Sequence, residues 1–141
     1  MARRHELPVR VYYEDTDFSG FVYHANYLRF LERGRSEFLR ELGIHHRSLF
    51  EGEALGFVVQ AMDIAFRKPA LMDDELRVET HLLEVRGASA RMEQRVLRGG
   101  EVLVAALVRV ALVREGRPAR FPEDLRAKLS AVLDDQPRMG S

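Results

Sequence analysis

The sequence predicts an α+β fold, with one long helix lying on a five-stranded antiparallel sheet. Three observations carry this reading. Apolar side chains in residues 26–42 recur with the helical period. Four strand-like stretches follow, joined by short turns, and consecutive strands joined this way pair antiparallel. A fifth short stretch precedes the helix.

In chain order, V-R-V-Y-Y at 9–13 reads as the first strand, and 14–20 as a loop rich in the turn residues Asp, Thr, Ser and Gly. On the helix, Tyr27, Leu28, Leu31, Gly34, Phe38, Leu39 and Leu42 share one face. Asn26 is the expected N-cap and Gly43 the expected C-terminal stop. Glycine costs about 1 kcal/mol inside a helix, so Gly34 on the apolar face implies a close neighbour. Arg35 lies on the same stripe, and a buried guanidinium needs partners. A carboxylate or several backbone carbonyls are expected, with Asp63 as a candidate.

Residues 45–53 are polar and irregular, with a helical turn expected at 47–50. The strands follow at 56–66, 75–85, 89–97 and 102–113. Gly99-Gly100 is a hairpin signal, and Glu115-Gly116-Arg117-Pro118 ends the sheet. Residues 122–133 read as a C-terminal helix, with Pro122 at its first turn. The whole, 1–141, is expected to be one domain with an ordered core at about 8–133 and a loose tail at 134–141.

Composition removes several function classes. Twenty-two basic and 22 acidic residues leave a formal net charge of zero, which argues against nucleic acid or an anionic membrane surface as the main partner. There is no cysteine, so disulfides, thiolate metal sites and a cysteine nucleophile are excluded. The basic start M-A-R-R-H-E is not followed by the apolar stretch of a secretory signal. No apolar run is long enough to cross a bilayer. A cytoplasmic location is expected.

The chemistry concentrates at residues 12–42. Asp17 stands one short loop ahead of the long helix. A helix start offers free N–H groups and a partial positive charge. A carboxylate beside such donors can act on a carbonyl whose oxygen turns negative in the transition state. From spacing alone, Asp17 serves equally well as a turn cap. Asp15 reads as a structural turn residue. His24 titrates near neutrality and can either bond the reacting groups or fix the loop. No second and third ligand accompany it at metal spacing, so no metal site is expected.

The run Y-x-D-T-D-x-x-G-x-V-Y-H-A-N-Y at 13–27 resembles the 4-hydroxybenzoyl-CoA thioesterase-like family, in its tol–pal-associated acyl-CoA thioesterase branch. F-L-E-R-G-R-S-E-F-L-R at 30–40 and F-R-K-P-A-L-M-D-D-E-L at 66–76 fit the same branch, and the likeness runs from about residue 8 to 125. It implies the hotdog fold, in which the sheet wraps around the central helix. It implies hydrolysis of an acyl-CoA thioester, with an acyl carrier protein as an alternative carrier and no cofactor beyond the substrate's own coenzyme A. The family's catalytic carboxylate falls on Asp17, as nucleophile or general base, with His24 beside it.

Amides near Tyr23, His24 or Ala25 are then expected to form the oxyanion site. Tyr13, Phe18, Gly20, Phe21, Val22 and Tyr23 are expected at the substrate, and Tyr27 in the core. Arg67, Lys68, Arg86 and Arg91 are candidates for the coenzyme A phosphates. Two rivals use the same fold. A dehydratase needs a histidine base beside the carbonyl, and a binding module keeps the pocket without turnover. The strands at 56–66 and 102–113 are apolar on both faces, which one helix cannot cover. A homodimer or homotetramer is therefore expected.

Overall fold

In the computed structural model, which describes residues 5–135, six strands form one sheet. They are β1 (His5–Arg10), β2 (Leu55–Phe66), β3 (Glu75–Val85), β4 (Ser89–Arg98), β5 (Glu101–Arg114) and β6 (Arg117–Pro118). Three helices accompany them: α1 (His24–Glu41), α2 (His46–Glu53) and α3 (Glu123–Asp135). The sheet runs β1-β3-β4-β5-β2, all antiparallel, and β6 pairs with the last residues of β5. The expected α+β architecture, a curled antiparallel sheet around one long helix, is present. Of the tail expected at 134–141, residues 134 and 135 instead continue α3, and the rest lies outside the described residues.

The amphipathic pattern of α1 decides its seat. Phe30, Leu31, Phe38 and Leu39 are buried against the sheet, each contributing about 1.5–3 kcal/mol of burial. The helix packs on β1, β3 and β4. Gly34 is where it comes closest. A Cβ there would stand 2.6 Å from Val78 Cγ1 and 3.1 Å from Gln94 Nε2. Gly43, with φ +81°, ends the helix as expected.

Four expectations need correction. The first strand occupies 5–10 rather than 9–13, because Tyr13–Asp15 turns into a short 3₁₀ segment under the acidic loop. The helix starts at His24, two residues before the expected cap, and Asn26 is buried inside it. The irregular stretch at 45–53 contains a full helix, α2, closed by Ala54 with φ 57°. Residues 115–118 do not merely end the sheet: Gly116, φ +78°, turns the chain into β6.

Arg35 is buried, but its partner is neither a carboxylate nor a backbone carbonyl. Its guanidinium donates to Gln94 Oε1 at 3.0 Å. Asp63 cannot reach it. Asp63 stands opposite exposed Leu107, while Arg35 shares a cleft with Val110 on the other face of β5.

One edge of the sheet stays open. β2 is the outermost strand beyond β5, and among the described residues no strand pairs with its far side. Val58, Val59 and Phe66 on this strand are exposed.

Candidate active site

The acidic loop is folded by its own hydrogen bonds. Asp15, 8% exposed, accepts from the amide of Tyr12 at 2.8 Å and from Asn26 Nδ2 at 2.7 Å. Its carbonyl accepts the amide of Tyr23 at 3.0 Å. Asp15 is thus a structural residue, as its turn position suggested, and Asn26 is its partner rather than a helix cap. Gly20, with φ +89°, makes the sharp turn that returns the chain. Its amide donates to the Asp17 carbonyl at 3.1 Å, and the Asp17 amide donates to the Phe21 carbonyl at 2.9 Å.

Asp17 is left with an exposed carboxylate. The Ser19 hydroxyl and the Ser19 amide, at 2.8 Å, both donate to its Oδ1. These bonds favour the charged form and hold the carboxyl below its ordinary range.

α1 begins beside this carboxylate. Its N-cap, Tyr23, makes no side-chain capping bond. The Asn26 amide turns back to the Tyr23 carbonyl at 2.8 Å. The opening amides, those of His24 and Ala25, have no acceptor within a helix. The Tyr23 amide does not belong to this donor set, because Asp15 already holds it.

A cleft of about 410 Å³ gathers seven of the residues singled out in the sequence: Asp17, Phe21, Val22, Tyr23, His24, Arg67 and Lys68. Phe66, Tyr27 and Pro69 complete it and were not foreseen there. The His24 ring lies on Phe66 with centroids 4.6 Å apart, and Tyr27 meets the same ring at 5.6 Å. Tyr27 is core, as expected, yet its hydroxyl also accepts the Ala70 amide at 2.8 Å and so fixes the cleft floor. Arg98 braces that floor, donating to Asp74 at 2.8 Å and to Glu101 at 3.0 Å, while Glu101 pairs with Lys68. The aromatic pair at Phe66 was legible as strand but not as wall, because its contact to His24 depends on how the sheet curls.

The remaining candidates lie elsewhere in the chain. Tyr13 is exposed on the 3₁₀ turn, and Phe18 is fully exposed at the loop tip; neither lines the cleft. Gly20 shapes the loop without lining it. Arg86 and Arg91 border a different cleft, of about 340 Å³, with Gln60 and Arg109. Both are paired to Glu84, at 2.7 and 3.2 Å. They are not part of the Asp17 cleft of the chain. Among the described residues, no three metal-ligating side chains come together, and no helix is long and apolar enough to cross a membrane.

Comparison with known proteins places this geometry. Residues 11–129 match the thioesterase-like superfamily. The chain is 48% identical over 123 residues to the acyl-CoA thioesterase YbgC of Haemophilus influenzae, covering 86% of this chain and 90% of that protein. A crystal structure of a probable thioesterase from Bartonella henselae is 50% identical and superposes with a TM-score of 0.81 over 84% of this chain and 99% of the other. A thioesterase from Thermus thermophilus, solved with coenzyme A and Zn, is 29% identical with a TM-score of 0.79, over 94% of this chain and 96% of that one.

Proposed function

The chain belongs to the thioesterase-like superfamily and, on that premise, we propose that it is an acyl-CoA thioesterase whose reaction centres on Asp17. The observation that carries this reading is one juxtaposition. An ionised carboxylate and the uncapped start of α1 meet in a single cleft.

The reaction follows from those parts. Asp17 either attacks the thioester carbonyl carbon or takes a proton from a water that does so. The carbonyl oxygen becomes negative and is met by the amides of His24 and Ala25 and the positive end of α1. The C–S bond then breaks. The sulfur leaves as the thiol of coenzyme A after taking a proton. Where water attacked, the acyl group leaves directly as the free acid; where Asp17 attacked, a water then hydrolyses the acyl–Asp17 anhydride to the free acid and restores the carboxylate. His24, stacked on Phe66, is positioned to hydrogen-bond water or the leaving group. Arg67 and Lys68 give the cleft its cationic rim for the phosphates of coenzyme A. No resident metal or cofactor is required by this chemistry, and an acyl carrier protein could present the same thioester. The lack of cysteine agrees with a reducing cytoplasm.

We also propose that β2 pairs with β2 of a second copy, in a dimer or a dimer of dimers. The open edge and its exposed apolar side chains support this. The reading is tested by Asp17→Asn, assayed by free-thiol release over a panel of acyl-CoAs. A loss of about 10²–10⁴-fold is expected. A variant that keeps half the original rate removes Asp17 from the mechanism.

A further inference from the structure

A second cleft, of about 360 Å³, opens along the same α1–β2 flank at the opposite end of the helix. Phe57 and Val59 supply apolar wall, and Arg35, Ser36 and His46 supply polar wall, with exposed Glu32 among the lining. Arg35 is 9% exposed. Its support is fully organised: Gln94 Oε1 accepts from it at 3.0 Å, while the Gln94 amide nitrogen donates to the Leu31 carbonyl at 2.9 Å and to Thr80 Oγ1 at 3.0 Å. Those two donations fix which end of the amide faces the guanidinium. A guanidinium has five donors. Among the described residues this is its only hydrogen bond, and no carboxylate lies at ion-pair distance. The remaining donors are left for the cleft that Arg35 lines. A buried cation held this way calls for an acceptor.

The lining also says which acceptor. Glu32 places a carboxylate on the same cleft, so cation and anion are already balanced there. A second anion would meet Glu32 as well as Arg35. A hydroxyl suits both, since it accepts from Arg35 and donates to Glu32.

The position of the cleft follows from β2. The Phe66 end of the strand borders the Asp17 cleft, and the Phe57–Val59 end borders the Arg35 cleft. Within one chain, Val58 and Phe66 are about 26 Å apart at 3.3 Å per residue. An antiparallel two-fold pairing of β2 with its copy exchanges the two ends. With the two-fold axis near Met62, midway between Val58 and Phe66, each Asp17 cleft would face the partner's Arg35 cleft.

We propose that the Arg35 cleft of one protomer receives the far end of the acyl group whose thioester lies at Asp17 of the other, and that it selects acyl groups bearing a distal hydroxyl. This rests on the reading above that Asp17 is catalytic and that β2 joins two copies. Arg35 and Glu32 are then the residues that read the acyl end, and Gln94 positions Arg35.

The test compares matched acyl-CoAs of equal length ending in methyl, hydroxyl or carboxylate, such as hexanoyl-, omega-hydroxyhexanoyl- and adipoyl-CoA, at several chain lengths. The readout is the ratio of kcat/KM values. At the best length the hydroxyl substrate should exceed the methyl one by about tenfold or more, because a site built for a hydroxyl rejects the analogue that lacks it. The ratio should collapse in Arg35→Leu. Arg35→Lys, which keeps the charge and loses the fork, should retain part of it, and this variant carries the test if the leucine protein does not fold. A heterodimer of Arg35→Leu with Asp17→Asn, co-expressed with two tags, holds one complete site only if the two residues come from different chains. It should show the wild-type ratio. No hydroxyl preference at any length, a preference that survives in Arg35→Leu, or a collapsed ratio in the heterodimer each overturns the proposal while leaving Asp17 in place. A monomer by light scattering, or a fully active Asp17→Asn, overturns the reading on which it rests.

Discussion

Asn26 Nδ2 donates to Asp15 Oδ1 at 2.7 Å, and this one buried bond joins the acidic loop to the first turn of α1. Both residues are more than nine-tenths buried. Asn26→Ala leaves the Asp15 oxygen in place without its donor, a loss of about 1–3 kcal/mol. It also frees the loop that carries Asp17. Urea unfolding should show the lower stability, and kcat should fall although Asn26 touches no substrate. Unchanged stability and kcat together would remove the clamp from the account.

The Ser19 hydroxyl and amide both donate to Asp17, which lowers its pKa. The working form is the carboxylate, so the acid limb of kcat/KM reports the pH at which it takes up a proton. Removing a donor to the charged form raises that pH. Ser19→Ala should therefore move the acid limb upward and leave the neutral plateau nearly flat. An acid limb that stays put separates Asp17 from the titration.

Gly34→Ala sets two effects against each other. Alanine gains about 1 kcal/mol of helix propensity. Its Cβ would stand 2.6 Å from Val78 Cγ1, a stiff side chain on a buried strand, and overpacking of that kind costs about 1–3 kcal/mol. Packing should win, by about 1 kcal/mol. A midpoint in denaturant above that of the parent protein would show that α1 can lift from the sheet.

If β2 joins two copies, each site depends on the association, and specific activity should fall on dilution as subunits separate. Light scattering run beside the dilution series checks this. A monomer with constant specific activity would leave the open edge of β2 without its proposed occupant.

The long helix, the run of antiparallel strands and the close approach at Gly34 were legible in the sequence, because each follows from local periodicity or from one residue's size. So was the position of Asp17 in the cleft at the start of α1, where a motif and a helix start coincide. The pairing of β2 with β5 rather than with its successor β3 was not, since nothing local sets it. What escaped depends on contacts distant in sequence. Asn26 looked like a cap because its carboxamide suits that role, but Asp15 claimed it first. Tyr12 and Tyr13 looked like strand because they are aromatic, but the turn that Asp15 organises needs them off the sheet. Gln94 was invisible as the partner of Arg35, since the pairing spans 59 residues and is set by β4 lying beneath α1. Arg86 and Arg91 carry the right charge for phosphate, but charge alone does not say which face of a sheet a strand end reaches.

The bare start of α1 has a consequence for engineering. A serine, threonine or aspartate at the N-cap typically stabilises a helix by about 0.5–2 kcal/mol over a residue that cannot cap, and this chain places Tyr23 there instead. The resting protein thus carries a structural deficit at the start of α1. Tyr23→Asp would fill it, raising the melting temperature while competing for the amides proposed above to meet the thioester oxygen. Selection for heat resistance alone would find that substitution and give a sturdier, slower enzyme. On the mechanism proposed above, selection for turnover would keep the helix open and let the reacting oxygen serve as its cap.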